Sequence, residues 1–252
     1  MLWDLVKRDF IGRYQGSIMG VVWSLFNPLL MLAIYTTVFS VAFKARWGTG
    51  EESKIAFAIV LFSGMVVHSL FAECINRAPS LIVSQVNYVK KVVFPLEILP
   101  WVALCSAILH FSISFLVLLI FCFFSDVALH WAALLVPLVM FPLILITLGL
   151  SWILASLGVY FRDMTQIVGM ISTLALFLAP VFYPLDALPE PYRSLLNWNP
   201  ITLPIIQIRD VLLWDKPVQW DLWLINLSIG ALICIFGYWW FQKSRQGFAD
   251  VL

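Results

Sequence analysis

The polar residues best placed to contact a soluble partner lie in one short stretch, residues 79–95, between two long apolar runs. Pro79 opens the stretch and Pro95 closes it. Between them, apolar positions recur at steps of three and four residues, a spacing that predicts a short amphipathic helix. Lys90 and Lys91 indicate the cytoplasmic side of a membrane, because cytoplasmic loops carry an excess of basic residues. The chemistry expected of this helix is docking onto a soluble protein that supplies force.

Motifs for catalysis or nucleotide binding are missing from the sequence. No Gly-x-x-x-x-Gly-Lys-Ser/Thr segment occurs, so the chain has no P-loop. Neither His-Glu-x-x-His nor Gly-x-Ser-x-Gly occurs, and no two aspartates have Asp-x-Asp spacing. We therefore expect no enzyme activity, no metal and no cofactor on this chain, and a source of energy elsewhere.

Ionisable residues within the apolar runs are few. Glu73 and Arg77 lie four residues apart near a membrane boundary, where they can pair on one helix face. No carboxylate lies at a predicted midplane, where a carrier driven by an ion gradient would need one. His68 and His110 are best interpreted as helix-packing residues, and the four cysteines as small buried hydrophobes.

The composition is that of an integral membrane protein. Hydrophobic residues make up 62% of the chain and charged residues only 12%, against roughly 25% charged in soluble domains. A formal net charge of +1 without a long basic patch gives no reason to expect nucleic acid as a partner.

Six apolar segments predict six transmembrane helices, although the fifth is short for a crossing that needs about 20 residues. The following segment, 183–220, is rich in proline and tryptophan and predicts re-entrant half-helices. With the N-terminus in the cytoplasm, most of the 15 lysines and arginines fall inside, so both termini are expected there. The six segments are 19–43, 55–75, 96–124, 131–159, 167–182 and 222–241.

The first 18 residues predict an amphipathic helix that lies flat at the membrane surface. Apolar residues at positions 2, 3, 6, 10 and 14 share one face, and basic residues point away from it. Such a helix either sets the orientation of the chain or contacts a partner, and the residues leave both open. Those that matter in either case are Lys7, Arg8, Asp9, Arg13 and Tyr14.

Aromatic residues are abundant, with 20 Phe, 12 Trp and 7 Tyr. Most are expected to face lipid or to pack inside the protein. A subset can line a passage for sugars, because the C–H faces of sugars stack on aromatic rings. The candidates lie toward the outer half of two spans, and they are Tyr35, Phe39, Phe177, Phe182 and Tyr183.

Several short motifs, in order along the whole chain, resemble those of ABC-2 type polysaccharide export permeases. These are the membrane subunits of exporters for O-antigen, teichoic acid and capsule. The motifs are Lys-Arg-Asp-Phe-x-x-Arg-Tyr at 7–14, Gly-x-x-Trp-x-x-x-x-Pro-Leu at 20–29, Asn-Tyr-Val-Lys-Lys-Val-Val-Phe-Pro at 87–95, Phe-Arg-Asp at 161–163, Pro-Val-Phe-Tyr at 180–183, Asn-Pro at 199–200 and Phe-Ala-Asp at 248–250.

The resemblance implies one ABC-2 type transmembrane domain over residues 1–252, all-α, with six spans, an interfacial helix over 1–18 and re-entrant half-helices over 183–220. It implies a homodimer in the bacterial inner membrane, together with two copies of a separate ATPase that binds ATP and Mg. Residues 79–95 would be the coupling helix. The residues implied in contact with the ATPase are Gln85, Asn87, Tyr88, Lys90, Lys91, Arg162 and Asp163.

The resemblance also implies that the first and fifth spans line the passage at the dimer axis and that the re-entrant segment gates the exit. The cargo would be a glycan of O-antigen type on a polyprenyl-pyrophosphate lipid. Other functions stay open at this point. One is the export of a drug or a simple lipid. A membrane enzyme would need a polar cluster that the sequence does not show, and a scaffold would not need the helix at 79–95.

Overall fold

Helices make up every regular element of the computed structural model, which describes residues 2–38, 54–86, 94–125, 127, 130–185, 189–190, 193, 196 and 198–252. The expectation of an all-α membrane protein is confirmed at this level. We number the helices α1 (Leu2–Gly12), α2 (Trp23–Thr37), α3 (Lys54–Arg77), α4 (Ile98–Phe124), α5 (Val136–Tyr160), α6 (Met164–Phe177), α7 (Thr202–Leu212), α8 (Trp220–Ser244) and α9 (Phe248–Val251).

Five helical stretches of the described chain are long and apolar enough to cross a membrane. They overlap the first four predicted spans and the sixth. The fifth predicted span corresponds to α6, which begins three residues earlier than expected and has only 14 residues. A helix of that length is about 21 Å long and does not reach across a hydrocarbon core of about 30 Å. The five stretches are Gly20–Thr37, Ile55–Ser80, Ile98–Phe124, Trp131–Tyr160 and Trp220–Val251.

Glycines bring α5 and α8 into direct backbone contact. A methyl group at Gly237 would overlap the carbonyl oxygen of Gly149, and one at Gly149 would lie 2.5 Å from the carbonyl oxygen of Ile233. Small residues permit this close approach, which favours van der Waals packing between membrane helices. The last predicted span is therefore fastened along its length to the fourth.

The bundle has two polar ends. At the α1 end lie α1, the C-terminus of α3, the N-terminus of α4 and the chain beyond α8. Contacts across this end include a hydrogen bond of 2.9 Å from the Tyr160 hydroxyl to the carbonyl of Ser244. At the α7 end, the Trp223 indole donates to the carbonyl of Leu138 at 2.9 Å.

Helix α7 is buried over nearly its whole length, including its polar residues Gln207, Arg209 and Asp210. Its apolar side chains Ile205 and Ile208 join the main core, which also takes residues from α3, α5 and α6. A short helix of this kind is compatible with membrane depth when protein surrounds it, because neighbouring groups then satisfy its backbone.

The stretch expected to be an amphipathic helix begins differently in the structure. Ala78–Ser80 and Val83–Gln85 form two 3-10 turns, so the expected α-helix does not begin at Pro79. The reason is packing, since the backbone of Pro79 lies directly against Gly158 at the end of α5 and Ile82 is fully buried. Residues 87–93 lie outside the described part of the chain.

Candidate functional site

Helix α1 forms where the interfacial helix was predicted, and its polar residues divide between two environments. Lys7 and Arg8 are exposed, whereas Asp9 and Arg13 are half-buried against the rest of the bundle. Val6 is fully buried and Trp3 is 64% exposed. The helix therefore has one face toward the protein and one free face, as a helix at a membrane surface requires.

Arg77 holds α1 to the end of α3. Its Nη2 and Nη1 atoms donate to the two carboxylate oxygens of Asp9 at 2.6 and 3.1 Å. Such bidentate pairs are among the stronger hydrogen-bonded ion pairs in proteins, since two charged bonds share one fixed geometry.

Arg13 makes the second link from α1 to the bundle. It forms an ion pair with Glu73 of α3 and donates from Nη2 to the Ser106 hydroxyl of α4 at 3.1 Å. His110 of α4 completes the arrangement, with Nδ1 2.9 Å from Glu73 Oε2 and Nε2 2.9 Å from the Tyr14 hydroxyl. A neutral His110 with its proton on Nδ1 donates to Glu73 and accepts from Tyr14.

We call Asp9, Arg13, Glu73, Arg77 and His110 the α1 ion-pair cluster. Its two carboxylates and two guanidinium groups compensate one another, so their charges balance at the edge of the bundle. Removing one member would leave its partner half-buried and uncompensated, which is costly in a medium of low dielectric.

The charges in this cluster affect two titrating groups of the α1 segment. Burial by itself would raise the pKa of the Asp9 carboxyl, but hydrogen bonds and charge from Arg77, with help from Arg13, lower it below 3.8. Burial raises the pKa of the Tyr14 hydroxyl above 10.0. At neutral pH Asp9 is therefore ionised, and the Tyr14 hydroxyl keeps its proton.

The sequence indicated a pair between Glu73 and Arg77 on one helix face, and this was wrong. Arg77 pairs with Asp9 of α1, and Glu73 pairs with Arg13, directly after α1. The sequence analysis also missed His110 as a member of this cluster. A usable signal existed, because ionisable residues near the membrane are costly unless a partner compensates them, and the charged α1 offered those partners.

The described residues of the expected ATPase contact all lie at the α1 end. Gln85 is exposed and lines a cavity of about 360 Å³ together with Arg8 and Gly12. Arg162 and Asp163 are exposed in the turn between α5 and α6. The other four expected contacts, Asn87, Tyr88, Lys90 and Lys91, lie outside the described residues.

The chain after α8 folds back against the same end. Arg245 forms an ion pair of 2.8 Å with Glu97, and Phe248 is fully buried between Tyr160 and Phe241. The segment around 78–86 thus lies beside α5, and α5 lies beside the chain end. A displacement of any of these exposed residues would be transmitted to the neighbouring segments, because the segments are closely packed.

The candidate passage aromatics that the structure describes come together at the α7 end. Phe177 and Phe182 have ring centroids 5.8 Å apart, and the Tyr183 hydroxyl donates to the carbonyl of Phe177 at 2.7 Å. Tyr35 and Phe182 both pack against a small core formed by residues 57, 60 and 61. Phe39, the fifth candidate, lies outside the described residues.

Arg209 fastens α7 to its neighbours, and the sequence analysis missed this role. The side chain is 1% exposed, and its Nε and Nη2 atoms donate to the carbonyls of Val60 at 3.0 Å and Val181 at 3.2 Å. Gly64 leaves the necessary space, since a Cβ there would lie 2.6 Å from Arg209 Nη2. Arg209 therefore fixes α7 to α3 and to the turn after α6.

The geometry offers no arrangement for metal catalysis among the described residues, where no group of three or more His, Cys, Asp or Glu side chains is placed to hold a metal ion. The described residues form a charged α1 end and an aromatic α7 end. The chain belongs to the ABC-2 type transporters, whose family model matches residues 2–213.

Relatives share nearly the whole length of the chain. The O-antigen export system permease protein RfbA of Myxococcus xanthus is 30% identical over 252 residues, covering 99% of this chain and 94% of the relative. A protein of the same name from Klebsiella pneumoniae is 25% identical over 250 residues, covering 98% and 93%. The polysialic acid transport protein KpsM of Escherichia coli is 21% identical over 242 residues, covering 92% and 88%. The family resemblance drawn from the motifs is confirmed.

Proposed function

We propose that this chain is the permease subunit of an ATP-driven exporter that moves lipid-linked polysaccharide of O-antigen type across the bacterial inner membrane. The observation that carries the proposal is the full-length match to permeases named for O-antigen export. A match over the whole chain includes both the docking end and the aromatic end, so it supports the complete transport unit rather than one shared helix.

The proposed topology has six crossings, with the α1 end and both termini in the cytoplasm. The amphipathic α1 and the excess of basic residues at that end support this orientation. Helix α6 is the fifth crossing in chain order. Because it has only 14 residues, the crossing is completed by the turn around Pro180 or by local thinning of the membrane.

ATP and Mg are proposed to bind on a separate ATPase subunit present in two copies, since this sequence has no P-loop. The ATPase docks on residues 79–95 and on Arg162 and Asp163. Support comes from the packing of Pro79 against Gly158, since Pro79 then lies near the end of α5 that Arg162 and Asp163 follow. Movement of one contact is thereby tied to movement of the other.

The passage is proposed to lie between two copies of the chain, lined by α2 and α6, with the segment 183–220 as its outer gate. Both helices carry broad exposed apolar faces in the single chain, including Leu29 and Met31 on α2 and Met170, Leu174 and Phe177 on α6. A second copy, the cargo lipid and membrane lipids are the partners that would cover these faces.

The decisive experiment is a chromosomal deletion of this gene in its own bacterium, followed by analysis of surface polysaccharide and of lipid-linked glycan in the inner membrane. We expect surface polysaccharide to disappear while lipid-linked glycan accumulates on the cytoplasmic side. Re-expression of the wild-type chain should restore the surface polymer. Normal surface polysaccharide in the deletion strain, with altered export of a drug or simple lipid, would overturn the proposed cargo.

A further inference from the structure

A cavity of about 780 Å³ opens at the α7 end, between α7, the start of α8 and the turn after α6. Its volume falls within the range of pockets that hold small organic ligands, roughly 300–1,000 Å³. Polar side chains and one indole ring line much of it. They are Thr202, Asp210, Trp214, Lys216, Gln219 and Asn226.

Asp210 is the most deeply placed charged acceptor in this cavity. Its side chain is only 5% exposed, and its ion pair with Lys216 Nζ spans 3.8 Å, which is too long for a hydrogen bond. Its carboxylate makes no other ion pair and no hydrogen bond with the described residues. Asp210 lines the cavity, so a hydroxyl group of a ligand in the cavity can donate a hydrogen bond to its carboxylate.

Two side-chain amides face the same space without hydrogen-bond partners of their own among the described residues. Asn226 is half-buried and lies six residues into α8, about 9 Å along the helix, and Gln219 is exposed just before α8. Each amide can donate and accept at the same time. Together with Asp210 they offer both kinds of partner that a hydroxyl group needs.

Trp214 and the basic residues further restrict the class of ligand that fits the cavity. The indole forms part of the wall, with Lys216 Nζ 5.1 Å from its ring centroid, and Pro180, Pro184 and Leu222 add apolar surface. The Asp210 carboxylate disfavours a phosphate, while Lys216 and Arg209 disfavour a metal cation. A single water occupies about 30 Å³ of liquid volume, so the cavity is much larger than one bridging water needs.

We propose that this cavity is a carbohydrate-binding site that takes neutral sugar residues on the outer side of the permease. Asp210 accepts hydrogen bonds from sugar hydroxyls, Asn226 and Gln219 donate to and accept from them, and Trp214 contacts a C–H face. That the bound sugars belong to the emerging glycan is an inference that rests on the proposed function. The proposal that the cavity binds sugars at all rests on the chemistry of the cavity.

A site at this position would retain the polymer near the exit while the cytoplasmic side resets. Arg209 gives it a rigid floor, because this side chain fastens α7 to α3. Rigid placement of the polar groups reduces the entropy lost when a sugar binds.

The test uses the full-length chain in lipid nanodiscs and saturation-transfer difference NMR with the methyl glycosides of glucose, galactose, mannose and N-acetylglucosamine. We expect saturable binding of at least one of them. Asn226→Leu, which keeps the branched shape and the number of heavy atoms but removes the amide, should weaken it about tenfold, as should Trp214→Leu. Ser228→Ala is the matched control, because Ser228 is exposed on the same helix and its hydroxyl is already bonded to the carbonyl of Leu224 at 2.9 Å.

Absence of saturable binding to every glycoside, or binding that Asn226→Leu and Trp214→Leu leave unchanged, would overturn the site. Each variant is first shown to elute as a single species in size-exclusion chromatography, so a folding defect is not mistaken for a lost contact. A wild-type permease that exports polysaccharide but shows no saturable sugar binding would reject the cavity proposal alone. Sugar binding present in a permease that exports another cargo would reject the proposed function alone.

Discussion

Arg77 of α3 donates two hydrogen bonds to Asp9 of α1 across 68 residues of sequence. This pair and the neighbouring contacts of Arg13 join an amphipathic surface helix to the end of α3 and to the first half of α4. Helix α1 is therefore a fixed part of the transmembrane bundle and not only a surface anchor. The segment 78–86 follows directly from the end of α3 to which α1 is bound.

We expect Asp9→Ala to destabilise the chain by about 2 kcal/mol, between the small value of exposed pairs and the larger cost of breaking buried ones. The reason is that both arginines would lose a half-buried carboxylate. The measurement is the thermal midpoint in detergent. Lys7→Ala, an exposed change on the same helix, should shift it little. The charge exchange Asp9→Arg with Arg77→Asp should recover part of the loss, and no recovery would argue against the direct pair.

The docking of α1 should weaken in acid. The pKa of Asp9 is lowered in the folded state, so its contribution is present above the unfolded value of about 3.9 and is lost as pH falls through the folded pKa. A fluorophore attached to a cysteine in place of Trp3 should show increasing mobility over that range by anisotropy. In the Asp9→Asn variant, the change in anisotropy with pH should be smaller. Equal acid profiles in the two backgrounds would show that Asp9 is not the titrating group.

Gly237→Ala should destabilise the protein by about 1–3 kcal/mol, because the added methyl would overlap the backbone of Gly149 and push α8 away from α5. Gly169→Ala is the matched control in α6, where nothing lies within 4 Å of the added methyl, and it should be neutral or stabilise by up to about 1 kcal/mol. Thermal unfolding of both variants in the same detergent measures the contrast. Similar effects of the two changes would contradict the close α5–α8 contact.

Reversing the charges at Lys90 and Lys91 to glutamate should release the partner ATPase from the permease, since this stretch is proposed to present both residues to the cytoplasm. The measurement is co-purification of the ATPase with a tagged permease, followed by analysis of surface polysaccharide. Lys44→Glu with Arg46→Glu serves as the control, because the sequence places this basic pair in an outer loop. Unaltered assembly and export after reversal at 90 and 91 would place the coupling contact elsewhere.

Apolar runs predicted the long helices well. The second predicted span, 55–75, lies within α3 and the sixth, 222–241, lies within α8, because about 20 consecutive apolar residues have few stable alternatives to a membrane helix. The prediction that a helix over 79–95 begins at Pro79 was wrong. Its periodic pattern was real, but Ile82 is buried against the protein and does not face the membrane surface.

The site residues show the same difference between what local sequence patterns predict and what packing decides. Charged residues of α1 were identified as important from their positions on an amphipathic helix, but their partners were not. Asp210 illustrates the second case, since it was not among the residues that the sequence singled out. Its burial in a cavity beside Asn226 depends on the packing of α7 against α8, which no local pattern encodes.

The sequence by itself determined the membrane class, the apolar helices and the family, because these depend on composition, on runs of neighbouring residues and on motifs in order. Only the tertiary structure decided that Asp9 pairs with Arg77, that Arg209 holds α7, and that Asp210 and Asn226 share one cavity. The physical reason is distance along the chain. Ion pairs and cavities are made by residues far apart in sequence, and their geometry exists only after the helices have packed.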